Sequence, residues 1–350
     1  MTDQTSDDVA ERLAAAIRLK GPISVAHYMA AANAHYYANS DPLGVAGDFT
    51  TAPEISQMFG ELIGAWLADL WDRAGRPVAH YVELGPGRGT LACDALRAMA
   101  SVGLTPQVHL VETSPVLRAS QAQRLPNAIF HDDVSTVPNE GALFCIANEF
   151  FDALPIHQLI RGAENWHERR VSCHGPLFLP VAAKAVPESL IPKPLRDDPA
   201  GSIIESSPAS VAIVTALARR LKTQGGAALI IDYGYEGPAV GETLQAVKGH
   251  AFANPFDAPG RQDLSAHVDF ATLAQAALMV GVSVTGPVGQ GDFLGRLGIG
   301  ERAAALAAAS PERRDDIAVA YARLTQPDAM GTLFRVMAFH DPSWPDPAGF

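Results

Sequence analysis

The chain has 350 residues, 48% of them hydrophobic and 18% charged, and a formal net charge of −12. That length leaves room for one large or two ordinary domains with a real core. The negative balance argues against a general nucleic-acid binder, and no apolar run approaches the length of a membrane span, so no membrane insertion is expected.

The first residues, Met1-Thr2-Asp3-Gln4-Thr5-Ser6-Asp7-Asp8, are acidic. They resemble neither a secretory signal nor an Arg-rich transit peptide, so the expected location is cytoplasmic. Val9, Leu13, Ala16 and Ile17 then recur at helical spacing, and Gly21-Pro22 ends that helix. A short second helix is expected over residues 25–34. Gly47-Asp48-Phe49 has no regular pattern, yet places an acid and an aromatic before a rigid element, and is read as a lid. Thr51 and Glu54 have the spacing of a capping box, with Pro53 in the first turn. The helix they open carries a wide apolar stripe from Ile55 through Phe59, Ile63, Trp66 and Leu70. Residues 1–76 are therefore expected to form an N-terminal helical extension, and 77–350 the main domain.

That domain opens on Tyr81-Val82-Glu83-Leu84-Gly85-Pro86-Gly87-Arg88-Gly89-Thr90-Leu91. An apolar strand ends in an acid, three glycines follow at every second position, and a helix begins. Glycines suit a turn with unusual dihedrals that a ligand must approach closely, and a helix start offers free N–H donors. The dinucleotide fingerprint G-x-G-x-x-G fits poorly, because its last place falls on Thr90. The spacing E-x-G-x-G-x-G is similar to that of class I S-adenosylmethionine (SAM) methyltransferases.

Downstream, strands and helices alternate. A strand ends at Glu112; Ser114-Pro115 starts a helix; a short strand closes on Asp132-Asp133; a fully apolar strand over 142–147 runs into Asn148-Glu149-Phe150-Phe151-Asp152. Residues 156–205 break the alternation and read as an inserted antiparallel arm. A buried strand over 227–231 ends at Asp232, a long polar loop runs to Ala266, and a late strand over 332–339 suits an antiparallel return into the sheet. The whole reads as an α/β class I SAM-dependent methyltransferase fold, Rossmann-like and doubly wound, mostly parallel with a final antiparallel strand.

Beyond the glycine turn, the blocks Asn148-Glu149-Phe150-Phe151-Asp152-Ala153-Leu154-Pro155 and Gln262-Asp263-Leu264-Ser265-Ala266-His267 resemble the MidA family. Mitochondrial members of that family are protein arginine methyltransferases of the complex I assembly factor 7 type. The resemblance implies S-adenosyl-L-methionine as cofactor, and symmetric dimethylation of an arginine on a core subunit of respiratory complex I. Residue chemistry assigns Glu83 to the SAM ammonium, Gly85, Pro86, Gly87 and Gly89 to close backbone approach, and Glu112 to the ribose diol. Asp133 is expected at the adenine amino group, Val134 against the ring and Asn148 below the sulfonium. For the acceptor, Glu149 is the expected guanidinium ligand, assisted by Asp152, with His267 orienting it or taking up a proton. Other acceptors on the same fold, a non-catalytic assembly chaperone and an NAD oxidoreductase are the rival readings.

Overall fold

The structure is a computed structural model, and it describes residues 9–39, 51–248 and 251–350. Gly47-Asp48-Phe49, expected to form a lid, lies outside the described residues. The chain begins with α1 (Val9–Lys20), β1 (Ile23–Ser24) and α2 (Val25–Asn39), then α3 (Ala52–Ile55) and α4 (Gln57–Arg73). The expected capping box is not formed. Thr51 makes no side-chain cap, because Glu54 turns away to accept a hydrogen bond from Thr90 Oγ1 (2.5 Å). Ser56 starts the long helix instead, its Oγ accepting from Met58 N (3.2 Å).

Next come β2 (Ala79–Leu84), α5 (Thr90–Ala100), β3 (Gln107–Val111), α6 (Pro115–Arg124), β4 (Ile129–His131) and β5 (Ala142–Asn148). Residues 157–206 supply β6 (His157–Arg161), β7 (Trp166–His174), β8 (Leu177–Ala185) and β9 (Ile203–Ser206), all antiparallel to their neighbours. After α7 (Pro208–Gln224) and β10 (Gly226–Tyr235), the stretch read as a long loop proves to hold a small antiparallel sheet. Its strands are β11 (Gln245–Lys248), β12 (Ala251–Ala253) and β13 (Asp263–Ser265). Leu244, Ala246, Leu264 and Ala266 bury one side of it. The remaining elements are β14 (Val268–Asp269), α8 (Phe270–Val280), β15 (Ser283–Gly289), α9 (Gln290–Arg296), α10 (Ile299–Ala309), α11 (Arg314–Thr325), α12 (Met330–Leu333) and β16 (Phe334–His340).

Among the described residues the central sheet runs β15-β16-β10-β5-β2-β3-β4. The pairs from β10 to β4 are parallel, and β16 lies antiparallel between β10 and β15. The chain leaves β2 toward β3 and β4, then jumps back to β5 on the other side. The switch point therefore falls between β2 and β5, where a doubly wound sheet leaves a crevice at its carboxyl edge. β5 is buried along its whole length, as a strand covered on both faces must be.

Two apolar layers flank the sheet, one including α4 and α5, the other α7 and α8. A third cluster joins α1 and α2 to Val171 and Phe178 of the arm and to Leu244, Phe256 and Leu264. The N-terminal extension is thus divided. Its first two helices belong to the arm and the small sheet, while α4 belongs to the main core. His109, fully buried, sits in a hydrogen-bonded row with His80 (3.1 Å) and His131 (2.9 Å) across β2, β3 and β4. Burial pushes it down to about 4, so it stays neutral and structural.

The contact of α4 with α5 is made close by Gly60 and Gly64. A Cβ at Gly64 would fall 2.4 Å from Ala95 O. Backbone cannot yield as a flexible side chain can, so Gly64→Ala is expected to cost about 1–3 kcal/mol with the fold retained. Urea unfolding checks this, and an unchanged midpoint would show that the two helices are free to separate.

Candidate active site

The carboxyl ends of β2, β3, β5 and β10 open onto a cavity of about 540 Å³. Glu54, Glu83, Glu112, Glu149, Asp152 and Asp263 line it, and Arg88 is the one basic residue among the described residues that do so. After β2, Gly85 and Gly87 take φ values of 61° and 55°, a region that favours glycine. A Cβ at Gly85 would also fall 2.9 Å from the Phe150 ring. Pro86 lies between these two glycines on the cavity wall.

Glu83 is 3% exposed and accepts a hydrogen bond from Tyr81 Oη (2.6 Å). Burial pushes its carboxyl up to about 8, since a phenol stabilises the charge less than a cation would. Glu112 accepts from Ser114 N (2.7 Å) and from Gln121 Nε2 (3.4 Å). The same Gln121 amide donates to Gly87 O (2.6 Å), tying the glycine turn to the end of β3. Sequence reading missed Gln121, which looks like any exposed helical glutamine until β3 and the turn close over it.

Across the switch point, Asn148 is buried, and its Oδ1 has no hydrogen-bond partner among the described residues. Glu149 holds a left-handed φ of 51°, a conformation that carries a cost for a non-glycine residue and often marks a functional position. Its Oε1 accepts from Ala52 N and Asn148 Nδ2, both at 3.2 Å. Burial first, then the neighbouring Asp152, pushes its carboxyl up to about 7. Asp152 Oδ2 accepts from Tyr233 Oη (2.5 Å), and its Oδ1 is buried with no partner among the described residues. Asp152 too is pushed upward by burial. Beneath it, fully buried Asp232 accepts from the backbone N–H of Phe151, Asp152 and Tyr233, at 3.0, 3.2 and 3.0 Å, and so sets the loop that carries Asp152.

Four expected residues are not brought to the cavity wall. Gly89 is the N-cap of α5, at a φ of 77° in the left-handed region that favours glycine. Asp133 points to solvent and caps a single turn by accepting from Ser135 N (2.7 Å). Val134 is buried in the apolar layer with Val214 and Leu217. β4 has three residues and the chain turns at once after it, which carries both past the crevice. His267 lies behind Tyr233, ring edge to ring face at 5.4 Å, in a second cavity of about 340 Å³ beside Ser207 and Asp269.

The polar set around the glycine turn suits a polar, partly cationic nucleoside. Among the described residues buried Glu83 is met by a phenol rather than a cation, and at Gly85 any side chain would meet the Phe150 ring. The comparisons then decide the matter. The model of the Methyltransf_28 family, S-adenosyl-L-methionine-dependent methyltransferases, matches residues 62–288. The chain belongs to this family. It is a MidA-type relative of the NDUFAF7 arginine methyltransferases and uses S-adenosyl-L-methionine. The protein arginine methyltransferase NDUFAF7 homolog of Drosophila melanogaster is 38% identical over 94% of this chain and 84% of its own. Human NDUFAF7 is 34% identical over 92% and 81% respectively. The structure of a COG1565 superfamily member from Burkholderia thailandensis bound to S-adenosyl-homocysteine superposes with a TM-score of 0.86 at 27% identity, covering 97% of this chain and 95% of that one. The expectation of a cytoplasmic protein is corrected by these relatives, which are named mitochondrial. That expectation had rested only on the acidic opening residues.

The family's methyltransferase chemistry gives the buried acids a measurable signature. Below pH 4.5 Glu83 is protonated folded or unfolded and does not affect stability. Between 4.5 and about 8 the unfolded chain ionises it first, so Glu83's own contribution to the stability of the ligand-free protein falls by up to about 1.4 kcal/mol per pH unit. Glu83→Gln is expected to make the decline shallower by that share, leaving the part due to Glu149 and Asp152, in denaturant unfolding measured from pH 5 to 8. An unaltered slope would mean Glu83 is ionised in the free protein.

Proposed function

We propose that this methyltransferase modifies an arginine of a protein substrate, with Glu149 and Asp152 holding the guanidinium. The observation that carries the reading is the surplus of acid at the β5 end of the cavity. Glu149, Asp152 and Asp232 crowd together, each pushed upward by burial, with hydroxyls and amides rather than lysine or arginine as their hydrogen-bond partners among the described residues. Such a cluster calls for a cation from outside. A guanidinium is flat, keeps its charge and fits carboxylates with paired N–H bonds. The relatives' names, protein arginine methyltransferase, support the same acceptor.

In this reading Glu83 holds the cofactor's ammonium, Gly85 to Gly87 admit its backbone-facing side, Glu112 takes its ribose and Asn148 Oδ1 faces its reactive end. When bound, S-adenosyl-L-methionine supplies an activated methyl group. The chain's own work is alignment and dehydration. Glu149 and Asp152 grip two guanidinium nitrogens so that the third is presented, and Glu149, poised near 7, receives the proton that nitrogen gives up. The first acceptor to try is a core subunit of respiratory complex I, with symmetric dimethylarginine as the product to look for.

Glu149→Gln is expected to lower methyl transfer about a hundredfold or more while leaving cofactor affinity nearly unchanged. The assay is transfer from labelled cofactor into a cell lysate, read by mass spectrometry of labelled proteins, with Gly87→Val as the cofactor-site control. Label found on residues other than arginine, or full activity in Glu149→Gln, would overturn the reading.

A further inference from the structure

The acceptor end of the cavity has a second wall that the β5 residues do not account for. Asp263 of β13 is 6% exposed and lines the same cavity as Glu149 and Asp152, as does Tyr37 of α2. The Tyr37 hydroxyl hydrogen-bonds to Asp263 and also lies within the field of Asp152. One side chain sets this wall against the other. Asn33, buried in α2, donates through Nδ2 to Leu264 O (2.7 Å) and to Ala153 O (3.1 Å), and its Oδ1 accepts from Leu264 N (3.1 Å). Leu264 and Ala153 are the immediate neighbours of Asp263 and Asp152. The backbone on either side is closed as well, since Ala266 N donates to Asp152 O (2.9 Å). Between the walls, Asp152 Oδ1 is buried and unpartnered among the described residues.

We propose that Asp263 and Tyr37 form a second grip on the acceptor, which fixes the edge of the guanidinium that faces away from Glu149 and Asp152. This rests on the arginine reading above. A guanidinium carries five N–H donors on three nitrogens in one plane. Carboxylates on one side alone select which nitrogen is presented but leave the plane free to swing about that contact, so its aim is loose. A third carboxylate from the opposite side removes that freedom, as bidentate pairing does elsewhere. An ammonium, compact and without a second edge, gains less from two opposed grips. The wall therefore also discriminates arginine from lysine. Tyr37 holds the Asp263 carboxylate at a set orientation while the site waits.

The test uses the full chain saturated with S-adenosyl-homocysteine, titrated with ethylguanidinium and, separately, with propylammonium. Wild-type protein is expected to bind ethylguanidinium more tightly than propylammonium. Asp263→Asn should weaken ethylguanidinium about tenfold, and Tyr37→Phe about threefold, both with affinity for S-adenosyl-homocysteine unchanged. Both variants should narrow the preference for ethylguanidinium over propylammonium. If Asp263→Asn binds ethylguanidinium as wild type does, the second grip is overturned and the arginine reading stands. If wild-type protein does not bind ethylguanidinium at all, both fall. Should Asp263→Asn lose S-adenosyl-homocysteine as well, its role is structural, and Tyr37→Phe decides: unchanged ethylguanidinium affinity in that variant overturns the proposal.

Discussion

A carboxylate removed from water must find a cation or keep its proton, and this fold gathers several whose hydrogen-bond partners, among the described residues, are neither lysine nor arginine. Glu83, Glu149, Asp152 and Asp232 are all pushed toward the protonated form by burial. The protein meets them with phenols, amides and backbone N–H groups, which stabilise charge only in part. The parallel sheet makes this arrangement possible. Its strands end together, so their terminal acids converge on one edge, and the covering helices exclude solvent from it. The cofactor brings positive charge to that edge, and so does the acceptor in the proposed arginine reading. Binding therefore supplies what the ligand-free protein lacks, a general device for storing affinity in an unfavourable empty state.

The site is shared between two bodies of the fold. The cofactor end is built by β2, β3 and the glycine turn, which belong to the central sheet. The acceptor end is completed by α2 and β13, whose apolar sides belong to the cluster that includes the arm. Ser114 links the two, since its Oγ donates to Tyr37 O (2.6 Å) and also accepts from Leu117 N (3.3 Å) to cap α6. A residue that starts a helix in one body thereby anchors the last turn of a helix in the other. The two bodies are tied together at that hydroxyl.

The central sheet was legible in the sequence because its signals are local. Apolar strands of two-residue or continuous pattern end in polar residues, and Glu83, Glu112, Asn148, Glu149 and Asp152 stand on the cavity wall where those endings put them. Asn33, Tyr37 and Asp263 were not legible. They come from an alanine-rich helix with little amphipathic contrast and from a stretch that reads as loop, and they meet only through contacts spanning more than a hundred residues. Asp133 and Val134 show the opposite error. Their assignment followed the general course of such sheets, but the three-residue β4 ends too soon to deliver them to the crevice. The Thr51–Glu54 spacing failed for a related reason, since a glutamate with a partner elsewhere, Thr90, does not turn back to its own helix. His267 was expected at the acceptor, yet it packs against the Tyr233 ring and lines a second cavity.

Asn33 has a consequence for how the molecule is made. Its three hydrogen bonds reach Ala153 and Leu264, and its helix packs on strands that end near Ser265. As the chain emerges from the ribosome, α1 and α2 appear long before these partners exist. Those two helices, short of the surface they need, must wait through the synthesis of more than two hundred further residues. Helices made early thus settle late, and the cavity wall that they share with β13 closes only after β13 has been made.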